Sequence, residues 1–302
     1  MRAHHLLLLI AIGAAGACGT EAATTPSDDL SPAPPAGGQQ LATSSYLLDP
    51  GGEIYMCYQF YAPDERVAIT RIQSIQGDGV HHVGFYQAYG RDESPEPHEC
   101  PVLIKQTWTP IWGSNTAAAE LVMPTGTGFV IEPGTQYIVQ LHLQNTGDTP
   151  LDIRVGLNLT YEHDVASITP AGIFALGAMA FEIPPTTTDH TLAIDCPLEK
   201  PMTVFAVEPH MHKLGTKMVA NLTPQGGTRA PFYMIDPWAF GEQPIDPLAA
   251  TLAPGDRLDL ACHYDNPTSA SVGYGESSDK EMCFFVLYYY PFDHLDGCIT
   301  SL

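Results

Sequence analysis

The apolar segments of this 302-residue chain are short, and Gly or Pro interrupts them throughout. Stretches such as "QYIVQLHLQ", "LDIRVGLNLTY" and "RLDLACHYD" alternate polar with apolar side chains, which is typical of half-buried strands. No segment sustains a helical period over three turns. The sequence therefore predicts an all-β protein, and so many short strands favour antiparallel β-sandwiches.

Two sets of predicted strands, similar in size, lie on either side of a long connection at residues 162–179, "EHDVASITPAGIFALGAM". The length of the chain suits either one large domain or two ordinary domains. We place a boundary near residue 170, which gives an N-terminal domain at residues 46–168 and a C-terminal domain at residues 169–302.

The N terminus, residues 1–18, is typical of an export signal, since Arg2 precedes an apolar run and small residues lead to Cys18. It resembles a bacterial lipoprotein signal, in which the cysteine sulfur carries lipid; ordinary secretion is the alternative. Residues 19–45 hold almost no large apolar side chains and are predicted to form a disordered tether. We expect the protein in the cell envelope, periplasmic or on the outer surface, or secreted, with lipid as its membrane contact.

The formal net charge of −22 disfavours nucleic acid as a partner, because its phosphates would be repelled. Six of the seven cysteines remain if Cys18 carries lipid, and an even number in an exported chain favours disulfides. They are Cys57, Cys100, Cys196, Cys262, Cys283 and Cys298. If bridges stay within domains, the first two pair with each other and three pairings remain for the rest. Among these, Cys262 and Cys283 flank a loop in a way that suits neighbouring strands, which would leave Cys196 with Cys298.

Histidines recur at spacings that suit a metal site. His210 and His212, in "VEPHMHKLGTKM", stand at i and i+2, so a strand would project both imidazoles from one face. His81 and His82 would point to opposite faces of a regular strand and could share an ion only where the strand begins or bends. His142 lies on an apolar alternating strand. Taken alone, each motif is more often a hydrogen-bonded or exposed histidine than a ligand.

Met282 heads an apolar strand, where a single methionine usually packs in the core. Together with His210 and His212 it would give two imidazoles and a thioether, a set that favours copper because soft sulfur prefers Cu(I). A second site without sulfur, which also suits zinc, would use the three other histidines: His81, His82 and His142.

The order of these motifs is distinctive: HH, then Q-x-H, then H-M-H-x-L-G, and finally E-M-C before an aromatic strand. It resembles the copper type II, ascorbate-dependent monooxygenases, the family of peptidylglycine α-hydroxylating and dopamine β-monooxygenases. The resemblance runs from about Cys57 to Cys298, nearly the whole globular part of the chain.

The resemblance implies two tandem jelly-roll sandwiches, one copper on each, facing across a solvent-filled cleft. The electron-storing copper would be held by His81, His82 and His142. The catalytic, oxygen-binding copper would be held by His210, His212 and Met282. Gln140, two residues before His142, becomes an electron-transfer candidate. The disulfides of the family match Cys57–Cys100, Cys196–Cys298 and Cys262–Cys283.

The sequence departs from the family pattern at the substrate-binding positions. Peptidylglycine hydroxylases hold a peptide carboxylate with an Arg before the H-x-H and with an Asn and a Tyr after the ligand Met. This chain has Glu208, Phe284 and Val286 there. A peptide substrate anchored by its carboxylate is disfavoured, because that anion would lie against the Glu208 carboxylate and two apolar side chains. Glu208 is a substrate candidate that could pair with an amine, or a solvated surface acid.

The function predicted is that of an exported dicopper monooxygenase. It would hydroxylate a C–H bond of a small-molecule or peptide substrate with O2 and an external reductant such as ascorbate. The alternative is a non-catalytic copper-binding or storage lipoprotein. A third hypothesis is an adhesion module whose histidines are vestigial. It is disfavoured because all six candidate ligands are present.

Overall fold

A computed structural model describes residues 30–90, 93–100, 105, 107–114 and 119–301. The predicted export signal, Cys18 and residues 19–29 of the predicted tether lie outside these residues. Strands account for most of the regular structure, and the described residues contain one 3₁₀ helix, Val165–Ser167, and no α-helix. The all-β prediction is confirmed. None of the helical structure in the described part of the chain is long and apolar enough to cross a membrane.

Three sheets form from the strands that precede residue 171. These strands are β1 (Gln39–Ala42), β2 (Tyr46–Leu48), β3 (Glu53–Tyr61), β4 (Val67–Ile75), β5 (Val80–Ala88), β6 (His98–Glu99), β7 (Trp108–Ser114), β8 (Glu120–Val122), β9 (Thr127–Ile131), β10 (Gln136–Gln144), β11 (Leu151–Ile153), β12 (Gly156–Glu162) and β13 (Thr169–Pro170). One sheet has the order β1-β12-β4-β9-β13, with β8 also paired to β4. The second has the order β6-β3-β10-β5-β7, and β2 pairs with β11.

Three further sheets form from the strands that follow. These strands are β14 (Gly172–Ala180), β15 (Glu182–Ile183), β16 (Thr187–Pro197), β17 (Met202–Met211), β18 (Gly215–Thr223), β19 (Ala230–Ile235), β20 (Asp246–Leu252), β21 (Arg257–Asn266), β22 (Val272–Gly273), β23 (Cys283–Tyr290) and β24 (Asp296–Ser301). The larger sheets have the orders β20-β17-β23-β14-β24 and β16-β21-β18-β19, and β15 pairs with β22. Neighbouring strands are antiparallel except in the pairs β13–β9 and β14–β24.

Two large hydrophobic cores accompany the two sets of sheets. The first contains fully buried side chains of β4, β10 and β12, such as Ile69, Leu141 and Leu157. The second lies between the sheets that follow residue 171. Tyr288 of β23 and Ala206 of β17 pack into the first core, so the two halves share part of their packing.

The tether predicted for residues 19–45 is shorter than expected. Residues 39–42 form β1, which pairs with β12 and places the fully buried Leu41 in the first core. The Val155 amide also donates to the Thr43 hydroxyl at 3.0 Å. The composition of residues 19–45 did not indicate this strand, because Leu41 is a single apolar residue in a polar stretch. The strand forms because it pairs with β12.

The three disulfides are those predicted. Cys57–Cys100, Cys196–Cys298 and Cys262–Cys283 have S–S distances of 2.04, 1.97 and 2.04 Å. The third bridge joins β21 to the first residue of β23, directly after Met282.

Candidate metal centre

His81 and His82 belong to β5, which is irregular at this point. In its pairing with β10, His82 lies opposite His142, while Val80 lies opposite Leu143. His81 is therefore an extra residue, and such a β-bulge re-aims side chains that would otherwise alternate. This is the bend that adjacent histidines need if they are to reach one ion.

The three imidazoles of this first cluster (His81, His82 and His142) converge through their Nδ1 atoms. The His82 Nδ1 lies 3.3 Å from the Nδ1 of His81 and 3.3 Å from that of His142. Their ligand atoms all lie within 4.8 Å of one another. Imidazole nitrogens that bind one ion at about 2.0–2.1 Å with tetrahedral angles lie roughly 3.3 Å apart. The first cluster therefore has the spacing of a metal site.

Two residues of β3 contact the imidazole of His142. Its Nε2 donates to the Glu53 carboxylate at 2.7 Å, and its ring stacks on Tyr55 with centroids 4.1 Å apart and an interplanar angle of 8°. Partial burial opposes ionisation of Glu53, but hydrogen bonds from His142 and from the Ser278 amide outweigh it and lower the pKa of Glu53. Because Nε2 carries the donated proton, the lone pair of His142 is on Nδ1, which faces the cluster.

The second cluster (His210, His212 and Met282) lies at the end of β17. The ring centroids of His210 and His212 are 5.3 Å apart. Met211 pairs with Cys283 across β17 and β23, so Met282, which directly precedes Cys283, lies at the same end of the strand pair. Met282 is buried, with 1% of its surface exposed. Its role as a ligand stays a prediction.

The imidazole of His212 is oriented by the segment that leads to Met282. Its Nδ1 donates to the Lys280 carbonyl at 3.0 Å, and its buried Nε2 has no hydrogen-bond partner among the described residues. The fully buried Glu281 carboxylate accepts from the backbone amides of His212, at 3.0 Å, and of Leu214, at 2.6 Å. Burial raises the pKa of Glu281 to about 7, although these amides oppose the shift.

Burial keeps the imidazoles neutral near pH 7, the form that binds a metal. Burial is the main cause that lowers the pKa of His81 to about 3 and that of His212 to about 4. It also lowers the pKa of the three remaining imidazoles, His82, His142 and His210.

The two clusters lie close together, which differs from the expected solvent-filled cleft. The ring centroids of His82 and His210 are 6.2 Å apart. Phe240 lies beside both clusters, with its centroid 4.5 Å from that of His81 and 6.0 Å from that of His212. The sheets that carry the clusters pack against each other where Tyr288 of β23 and Ala206 of β17 enter the first core.

Both donor sets suit copper. The first cluster offers neutral nitrogens at the spacing of an ion's ligands, and the second offers the unpartnered Nε2 of His212 at the strand end where Met282 lies. Imidazole and thioether are ligands that copper accepts, and the thioether favours Cu(I).

Comparisons with known proteins point to the same chemistry. The family model "Copper type II ascorbate-dependent monooxygenase, C-terminal domain" matches residues 169–302. Residues 169–302 thus match the C-terminal domain of the copper type II, ascorbate-dependent monooxygenases. DBH-like monooxygenase protein 1 of Homo sapiens is 25% identical over 282 residues, which cover 82% of this chain and 46% of that protein. Dopamine beta-hydroxylase of Canis lupus familiaris is 24% identical over 294 residues, which cover 85% of this chain and 46% of that protein.

The chain spans about half the length of the curated relatives it matches. Among solved structures, the matches include an allantoicase at 12% identity, which covers 70% of this chain and 74% of that one. Its TM-score of 0.24 is too low to support an argument about the fold.

Glu208 is not a solvated surface acid. Only 7% of its surface is exposed, and Tyr288 donates to its carboxylate at 2.7 Å. Burial raises the pKa of Glu208 to about 7, although the Tyr288 hydrogen bond opposes the shift. A carboxylate oxygen also lies 3.1 Å from where a Cβ on Gly113 would be. Glu208 therefore lies where β17 and β23 pack against β7, and its contact with a substrate stays a prediction.

Gln140 is fully buried on β10, two residues before His142. Its Nε2 donates to the Cys100 carbonyl at 3.1 Å, next to the Cys57–Cys100 disulfide. This hydrogen bond fixes the Gln140 side chain beside that disulfide, on the strand that carries His142. Its role in electron transfer stays a prediction.

Four residues that the sequence alone did not single out contact the candidate site: Glu53, Tyr55, Phe240 and Glu281. The alternation of β3 could have indicated Glu53 and Tyr55, because they share one face with Cys57 in "GEIYMCYQF". Glu281 stands next to the candidate ligand Met282. Phe240 lies in an irregular segment without a periodic signal.

Proposed function

We propose that this protein is an exported copper monooxygenase that hydroxylates a C–H bond of an organic substrate, using O2 and an external reductant such as ascorbate. The observation that carries the proposal is the convergence of the three Nδ1 atoms of the first cluster within one buried region that also holds His210 and His212. Family membership of residues 169–302 supports it.

The protein's own residues have separate tasks in this proposal. His81, His82 and His142 hold an electron-storing copper, and His210, His212 and Met282 hold the catalytic copper. Copper, when bound, supplies the one-electron redox steps that hydroxylation with O2 requires. Phe240 packs beside His81 and His212, while Glu53 and the Lys280 carbonyl keep His142 and His212 in their metal-binding tautomers. Gln140 lies on the strand of His142, in the position assigned to electron transfer.

The substrate is an organic molecule that does not need a carboxylate anchor. Phe284 and Val286 offer no cationic or hydrogen-bonding side chain that could hold a carboxylate. A substrate without a carboxylate fits these positions better than a peptide held by its C-terminal carboxylate.

The finer architecture and the location of the protein belong to this proposal. We assign two tandem jelly-roll domains, at residues 46–168 and 169–302; the division between the two sets of sheets, at residues 170–172, lies close to this boundary. We assign export through the N-terminal signal, with lipid on Cys18 as its membrane anchor.

The experiment loads the protein with copper, counts the metal by mass spectrometry and follows O2 uptake with ascorbate. Two coppers per chain and substrate-dependent O2 uptake are expected, and products formed from extracts of the protein's own cells would identify the substrate. In the Met282→Ala variant the uptake should stop, while the first cluster keeps its copper. Tight copper binding without uptake, across aromatic amines, glycine-extended peptides and lipids, would contradict the monooxygenase and favour storage.

A further inference from the structure

The segment at residues 276–281, here called the bridging segment, contacts the supports of both clusters. It leads directly into Met282 and carries the Lys280 carbonyl and the Glu281 carboxylate that fix His212 and its backbone. One end therefore belongs to the second cluster. Its other end rests on β3 and β10, the strands behind His142.

Hydrogen bonds hold this other end in place. The Ser278 amide donates to the Glu53 carboxylate at 3.3 Å, and the Gln144 side chain donates to the Ser278 hydroxyl at 3.2 Å. The Tyr55 hydroxyl donates to the Glu276 carbonyl. Ser278 is buried, with 4% of its surface exposed, so these contacts define a docked position rather than a solvated loop.

Glu53 contacts both the first cluster and the bridging segment through a single oxygen atom. Its Oε1 accepts from the Nε2 of His142 at 2.7 Å and also from the Ser278 amide. A carboxylate that accepts from the outer nitrogen of a metal-binding imidazole fixes its tautomer and orientation, and loss of such a partner typically lowers metal affinity 10- to 100-fold. The same atom also holds a backbone group of the bridging segment.

We propose that Glu53 is a positioning residue for the first cluster and that, through the Ser278 amide, it docks the bridging segment which supports the second cluster. The two candidate metal sites are thus coupled by a continuous chain of contacts, from His142 through Glu53 and Ser278 to Lys280 and His212. The inference rests on the proposed function, because it assigns a role in holding copper. It goes beyond that function by assigning a support that the two sites share.

The test compares Glu53→Ala and Glu53→Gln with a matched control, Glu65→Ala. Glu65 also accepts from a histidine, His163, at 3.0 Å, but both side chains are largely exposed and neither belongs to a cluster. Two properties are measured in each protein. One is the Cu(I) affinity of each site, by competition with a chelator, and the other is amide hydrogen exchange of residues 276–281 in the metal-free protein.

For Glu53→Ala we expect the Cu(I) affinity of the first cluster to fall 10- to 100-fold. The bridging segment should exchange faster, and the affinity of the second cluster should fall as well. Glu53→Gln keeps an acceptor oxygen without the charge and should give a smaller loss. Glu65→Ala should match the wild type in both measurements.

Each other outcome overturns a part of the inference. Lower affinity without faster exchange would overturn the docking role, and faster exchange without lower affinity would overturn the positioning role. Wild-type values for both in Glu53→Ala would overturn the whole inference. If the wild-type protein bound no copper, the proposed function would fail instead, while the exchange comparison would still decide the docking role.

Discussion

Glu281 offers the sharpest test of how the second cluster is held in place. Its fully buried carboxylate accepts from the amides of His212, at 3.0 Å, and Leu214, at 2.6 Å. Glu281→Ala leaves two amides without their acceptor, and an unsatisfied buried donor costs about 1–3 kcal/mol, so we expect a loss of about 2–6 kcal/mol. Glu281→Gln keeps one acceptor oxygen and should lose roughly half as much, about 1–3 kcal/mol.

The assay is a urea titration of the metal-free protein, followed by a Cu(I) titration of the variants that fold. The exposed Glu199 gives the control, since Glu199→Gln removes a carboxylate without a buried partner and should change the free energy of unfolding by less than about 0.5 kcal/mol. The Cu(I) affinity should fall more at the second cluster than at the first. A loss below about 1 kcal/mol in Glu281→Ala would refute the reasoning, because it would mean that water or the backbone replaces the carboxylate.

Two further predictions concern the surroundings of the clusters. Replacing both Cys262 and Cys283 by Ala opens a bridge with a sequence separation of 21 residues. The free energy of unfolding should fall by about 3 kcal/mol in a urea titration, and an unchanged midpoint would contradict this. Gly113→Ala places a Cβ 3.1 Å from a carboxylate oxygen of Glu208 and should cost about 1–3 kcal/mol in thermal unfolding. Gly77→Ala is its control, because the added Cβ would have no atom within 4 Å among the described residues apart from its chain neighbours; equal losses in the two variants would rule out this contact as the cause.

Local patterns were sufficient to predict the all-β class and the positions of several candidate residues. Polar and apolar residues alternate along β10, which places His142 within a strand. The H-x-H spacing correctly placed the rings of His210 and His212 near each other. Cys262 and Cys283 were predicted to pair because they flank one loop, and they do. These features depend on strand periodicity, which the sequence shows directly.

Features that depend on register or on distant contacts could not be predicted in the same way. The bulge at His81 is set by the pairing of β5 with β10, which local composition does not reveal. Glu53 and Ser278 are 225 residues apart, and nothing in either segment indicates the other. The short separation between the clusters depends on how the sheets pack and on where Phe240 lies.

The most direct test of the central claim is anomalous diffraction at the copper absorption edge from copper-loaded crystals. We predict two separate peaks, one surrounded by the Nδ1 atoms of His81, His82 and His142 and the other beside His212 and Met282. Because His82 and His210 lie only 6.2 Å apart between ring centroids, a single shared ion is the sharpest alternative. One peak between these two rings, or no peak at either cluster, would contradict the claim of two copper sites.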